Sequence, residues 1–169
     1  ESTLGDFLKK RSSLSVTNNG GVGSSANLYL RGTENRHTLL IIDGVEYTNP
    51  TNISPSADWS LIPLVNIQRI EVLKGSQSAL YGSGAIGGVI KITTKKESES
   101  DNHLNFGVGS YSLREFQGAT FGKEGKISYS LSGSFLKTKG ISAFNEKRTV
   151  GADRDGFQKV FLMPKLRYD

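Results

Sequence analysis

IQRIEVLKGSQSALYGSGAIGGVIKITTK, residues 67–95, decides how this chain is read. Ile67, Ile70, Val72 and Leu73 form an apolar, largely β-branched run that reads as a strand. Gly75 breaks the run, SQSALY follows as a short turn or helix, and Gly82, Gly84, Gly87 and Gly88 crowd in behind it. Val89, Ile90, Ile92 and Thr93 then restart a strand. Glycine at this density permits positive φ and lets one backbone lie directly on another. The stretch holds no nucleophile, base or metal cage. Gly82-Ser83-Gly84-Ala85-Ile86-Gly87 matches G-x-G-x-x-G, but a dinucleotide site needs a strand before that motif and a helix after it. Here the order is reversed, so a phosphate would find no helix N-terminus to sit on. The order argues against nucleotide binding.

Upstream of this stretch the chain mixes helical and strand signals. Ser2 or Thr3 can cap a short helix in which Leu4, Phe7 and Leu8 recur at helical spacing. Leu14 and Val16 lead into NNGGVGSS, a polar loop. Strands are expected near 27–31, 38–43, 67–74 and 87–94, supplying most of one small central sheet. Asp43-Gly44 is a hairpin-type turn into Val45-Glu46-Tyr47. Residues 48–57 are loop-forming, and Asp58 is placed to cap a turn of helix running through Leu61.

ESESDN (97–102) is a charged linker without apolar residues. Beyond it the texture is purely β. Leu104, Phe106 and Val108 alternate with Asn105, Gly107 and Gly109. Ile127, Tyr129, Leu131, Gly133 and Phe135 alternate with Lys126, Ser128, Ser130, Ser132 and Ser134. FGKEGK (121–126) reads as a short turn and 138–156 as a longer polar loop, after which Val160, Leu162, Leu166 and Tyr168 alternate again. Short turns facing long loops fit an outer-membrane barrel. Alternation by itself fits the face of a soluble β-rich binding domain equally well.

Composition narrows the classes. The chain has 169 residues, 36% of them hydrophobic, with 20 glycines and no cysteine, so thiol and disulfide chemistry are excluded. No run approaches the length of a transmembrane helix, which leaves a membrane barrel open. No secretory signal is visible at Glu1. The net charge is +5. Lys9-Lys10-Arg11 and Lys95-Lys96 are isolated clusters rather than a stripe, and acids follow the second at once, so nucleic acid is not an expected partner. His37 and His103 stand alone, and nothing completes a catalytic pair, so an enzyme is not expected. Arg31, Asp43, Arg69 and Glu71 are charges set in apolar strands. They read either as solvent-facing positions or as ionic links. Asp153-Arg154-Asp155-Gly156 places two carboxylates at a spacing that can share Ca²⁺ and that ordinary turns also use.

The stretch at 67–95 resembles the closing signature of the plug domain in TonB-dependent outer-membrane receptors, approximately ERIEVLRGPxSALYGSGAIGGVINIITK, with Ser76 and Lys91 in place of its proline and asparagine. LYLRG (28–32) followed by LLIIDGV (39–45) resembles that family's IRG…VLVLIDGV element. GSYSLREF (109–116) and ADRDGF (152–157) extend the likeness furthest toward the cobalamin transporters of the family. The resemblance implies a mixed α+β, β-dominated chain. Residues 1–96 would be a plug domain with a small central sheet, 97–102 a linker, and 103–169 the first three to four antiparallel strands of a transmembrane β-barrel, truncated. It implies an energy-coupled receptor of a Gram-negative outer membrane that imports cobalamin or a ferric siderophore, with the plug gating the pore. TonB would bind a segment upstream of residue 1. Conserving the motif would fall to Arg31, Gly32, Asp43, Gly44, Arg69, Glu71, Gly75, Tyr81, Gly82, Gly87 and Gly88, with the charges preferred as buried pairs within the plug or against the barrel wall. Substrate contact is carried over to Ser25, Asn27, Glu34, Asn52, Ile53 and Ser54. No cofactor is required, while calcium in the loop 138–156, held by Asp153 and Asp155, is implied by the matching loop of the cobalamin transporters.

Overall fold

The structure, a computed structural model, describes residues 3–10, 14–18, 20–49, 56–60, 62–95, 102–141 and 155–168. The chain divides into two compact units, Glu1–Asn19 with Ser25–Lys95, and Gly20–Ser24 with Lys96–Asp169.

The first unit opens with helix α1 (Leu4–Lys9). Thr3 caps it as its type predicts: its Oγ1 accepts from Asp6 N at 3.2 Å and donates to Asp6 Oδ2 at 2.8 Å. Strands β1 (Leu14–Asn18) and β2 (Ala26–Leu30) pair antiparallel as a ribbon of their own. A four-stranded sheet follows, in the order β4-β3-β6-β5, built from β3 (Thr38–Ile42), β4 (Val45–Glu46), β5 (Ile67–Lys74) and β6 (Gly88–Thr94). Strand β6 lies parallel to β3 and antiparallel to β5. The expected strand at 27–31 therefore exists but does not join the central sheet. Leu28 and Leu30 are paired to Val16 and Leu14, and this ribbon covers the sheet face made by Leu40, Ile90 and Ile92. The core also holds Leu4, Leu8 and Trp59, each at most 1% exposed. No helix forms after Asp58 among the described residues. Its Oδ1 instead accepts from Ser60 N and Ser60 Oγ, at 3.0 and 2.6 Å, in a local turn.

On the other sheet face, Leu39, Ile41, Val89 and Ala85 form a smaller cluster under Tyr81. Ala85 and Tyr81 belong to the glycine segment. It folds as helix α2 (Ser78–Tyr81), a 3₁₀ turn at Ser83–Ala85, and then β6. A strand thus follows the G-x-G-x-x-G glycines where a nucleotide fold has a helix.

The second unit is a four-stranded antiparallel sheet in the order β10-β9-β8-β7. Its strands are β7 (His103–Gly109), β8 (Leu113–Glu124), β9 (Ile127–Thr138) and β10 (Phe157–Tyr168). Register puts Phe106, Phe116, Phe135 and Val160 in one row and Leu104, Gly118, Gly133 and Leu162 in the next. Tyr129 and Leu166 share a later row of the same face. Phe106 and Phe116 touch edge to face, with ring centroids 5.1 Å apart. This face is the exposed one: Phe106 is 78% exposed and Leu166 79%. The opposite face carries Ser128, Ser130 and Ser132, which are 3% exposed or less. Apolar side chains turned out and hydroxyls turned in invert a soluble sheet and match a lipid-facing barrel wall. Strands of 12 residues are long enough to cross a bilayer at the usual tilt.

Candidate functional site

The site is built at the end of the first unit's sheet where β3 and β6 begin and β5 ends. Two turns there adopt positive φ on both central residues, Arg31 at 54° with Gly32 at 81°, and, at the opposite end of β3, Asp43 at 49° with Gly44 at 88°. The second joins β3 to β4 as a two-residue hairpin, which Asp-Gly favours. Asp43 also anchors β6: its Oδ1 accepts from Thr94 N at 2.8 Å and its Oδ2 from Thr94 Oγ1 at 2.6 Å. The embedded charges are therefore not buried pairs in this chain. Asp43 is a hydrogen-bonding bracket and Arg31 an exposed turn residue. Arg69 meets Glu71 at 3.3 Å with 65% and 37% of their side chains exposed, because residues two apart on β5 share one face. A pair that exposed contributes little to stability.

The glycines fix the return of the chain. Gly75, with φ 94°, donates to Gly87 O at 3.2 Å, and Gly87 N donates to His37 O at 2.8 Å. Gly82, with φ 82°, ends α2 by donating to Ser78 O. A Cβ on Gly87 would collide with Thr33 Oγ1, and one on Gly88 with Leu73 O and Leu30. These two glycines are where backbone lies on backbone.

Asn35 holds the turn at 33–37 in place. Its Oδ1 accepts from Trp59 Nε1 at 2.7 Å and from Leu28 N at 3.2 Å, and its Nδ2 donates to Ala57 O at 3.2 Å and Asn27 Oδ1 at 3.3 Å. One amide thus ties β2, the 3₁₀ turn Asn35–His37 and the segment around Trp59. Sequence reasoning passed over it, since an asparagine in a polar loop reads as a turn former. Asn35→Ala should cost about 1–3 kcal/mol, because it leaves the indole N–H of a fully buried tryptophan unpaired. Chemical unfolding followed by fluorescence of Trp59, the chain's only tryptophan, measures this.

Next to this turn lies a hollow of 510 Å³. Arg36, His37 and Thr38 line one side, Tyr47, Thr48 and Ser56 another, and Ser83, Gly84 and Ile86 close it. The substrate residues carried over by resemblance sit around it rather than in it. Ser25 is exposed at the head of β2. Asn27 is engaged by Asn35, and Glu34 pairs with Arg36 at 2.6 Å in solvent. Asn52, Ile53 and Ser54 lie outside the described residues, as does Asp153. Asp155 is exposed, and its N donates to Ile141 O at 3.3 Å. Among the described residues no group of three or more acidic or histidine side chains converges as a metal site.

The profile of the TonB-dependent receptor plug domain matches residues 1–89, more than half of the chain. The chain belongs to the TonB-dependent receptor plug family. Solved structures of such receptors share its fold. The FrpB iron transporter from Neisseria meningitidis superposes with a TM-score of 0.76 at 21% identity, over 98% of this chain and 26% of that one. The pyoverdine receptor FpvA from Pseudomonas aeruginosa gives 0.75 at 18%, over 99% and 23%. The ferric yersiniabactin uptake receptor FyuA from Yersinia pestis gives 0.70 at 23%, over 97% and 26%. The chain spans about a quarter of the length of these receptors, and the likeness continues through the second unit's strands.

Proposed function

We propose that this plug-family chain works as the plug and opening barrel strands of an energy-coupled receptor in a Gram-negative outer membrane. The observation that carries the reading is the inverted second unit, with leucines and phenylalanines exposed and serines buried, following directly on a plug domain. The ligand is a ferric siderophore. That choice leans on the structural relatives, which include an iron transporter, a pyoverdine receptor and a ferric yersiniabactin receptor. Cobalamin is the second choice and leans only on the sequence resemblance at 109–116 and 152–157. The plug binds the ligand at its turn-rich end, and TonB, acting through a segment upstream of residue 1, moves the plug to let it pass. No covalent step is involved.

Iron uptake tests this. The receptor, expressed in iron-starved cells lacking their own siderophore receptors, should restore uptake of a ferric siderophore when TonB is present and not when it is deleted. Uptake that ignores TonB would sink the proposal. Repeating the assay with calcium or with a chelator tests the further proposal that Asp153 and Asp155 share an ion. Equal uptake in both would make those aspartates an ordinary turn.

A further inference from the structure

Thr38 opens β3 and is 3% exposed, yet its Oγ1 has no hydrogen-bond partner among the described residues. A buried hydroxyl left unpaired is costly, and such groups are rare in folded proteins. Among the buried orphan atoms of the described residues, Thr38 Oγ1 is the one whose residue lines the 510 Å³ hollow. The walls around it are rich in hydroxyls, from Tyr47, Thr48, Ser56 and Ser83. Their charge is balanced or slightly negative: Arg36 is already held by Glu34 at 2.6 Å, and Glu46 stands on the rim. A site of this make-up offers hydrogen bonds without a surplus of positive charge. It disfavours an anion, which would meet Glu46 and compete with Glu34 for Arg36. Its floor of Leu39 and Leu40 is apolar, as ligand pockets usually are.

We infer that this hollow seats an uncharged, oxygen- or amide-rich group of the transported ligand, and that Thr38 Oγ1 makes a hydrogen bond to it. The inference rests on the receptor reading and sharpens it: the ligand is a neutral chelate rather than an anionic one. Ligand binding then pairs a hydroxyl that the empty plug leaves orphaned, so the bond formed replaces no existing one.

The test uses the full-length receptor in detergent and two ligands, a ferric trihydroxamate of zero net charge and anionic ferric citrate, with affinity read by titration. The neutral chelate should bind at least about tenfold more tightly. Thr38→Val, which keeps shape and removes the hydroxyl, should weaken that binding about fivefold to tenfold, while Thr38→Ser stays within about twofold of the parent. The ligand-free Thr38→Val receptor should unfold at the same or higher temperature, since an unpaired group has gone. Unchanged affinity in Thr38→Val would mean that water alone satisfies the hydroxyl, and the inference falls. So it does if ferric citrate binds as tightly as the neutral chelate, if neither binds, or if Thr38→Val lowers the unfolding temperature. In each of these cases TonB-dependent iron uptake leaves the receptor reading standing, and loss of that dependence removes both.

Discussion

Gly88→Ala should be the most damaging single-methyl change in the first unit, lowering its stability by roughly 3–5 kcal/mol. Two effects add. The backbone there has φ 151°, a conformation that residues with a Cβ rarely adopt. The added carbon would also run into the carbonyl oxygen of Leu73 and the side chain of Leu30. The first of these is backbone of the neighbouring strand and has no rotamer to retreat into. Strand β5 would have to part from β6, the central strand of the sheet. Gly84→Ala is the control. It stands in the same glycine cluster, but its new carbon would approach Leu39 Cδ1 no closer than 3.9 Å, so its effect should stay within about 0.5 kcal/mol. Urea unfolding of the chain in micelles, followed through Trp59, compares them. Equal stabilities for the two variants would show that the glycine cluster is not set by close approach.

Leu131→Arg should cost roughly 2–4 kcal/mol in the membrane-inserted receptor. Leu131 sits midway along β9 on the face shared with Leu104, Phe116 and Leu162, and 45% of it is exposed. A guanidinium there would face hydrocarbon. Ser134→Arg, on the opposite face of the same strand, should cost under about 1 kcal/mol, because the inner wall of such a barrel is polar. Folding into lipid vesicles from urea gives both numbers. If the serine variant suffers as much as the leucine variant, the outward face has been misread. The same face explains why the second unit alone, in water, should self-associate: it presents a row of large apolar side chains with nothing over them among the described residues.

Much of this was legible in the sequence, and the reasons differ by element. Strands β3, β5 and β6 are runs of β-branched residues bounded by turn formers, and Asp43-Gly44 specifies its hairpin through backbone conformation alone. These are local signals. The ribbon β1–β2 was harder: Leu14 and Val16 are too few to declare a strand, and which sheet β2 joins depends on a partner distant in sequence. The charges Arg31, Asp43, Arg69 and Glu71 were read as buried pairs, yet their roles here are a turn, a bracket and a surface pair, because charge alone does not tell which face a strand residue takes. At the site, Thr38 gave no signal at all. A threonine at the start of a strand is ordinary until burial shows that its hydroxyl has been left without a partner. Asn27 resembled a ligand residue, and its amide oxygen turns out to be engaged by Asn35.

The inverted sheet has a further consequence for how such a chain tolerates change. Its lipid-facing character is written in phase rather than in amount: every second residue of β9 is apolar, and a windowed average over the strand cancels the signal to nearly nothing. Substitutions perturb one point of the wave. Loss of a single residue between Ile127 and Thr138 shifts the wave by half a period, turning Ser128, Ser130 and Ser132 toward lipid while the leucine and tyrosine between them turn inward. In a wall coded by parity, the smallest deletion is a larger error than the harshest replacement.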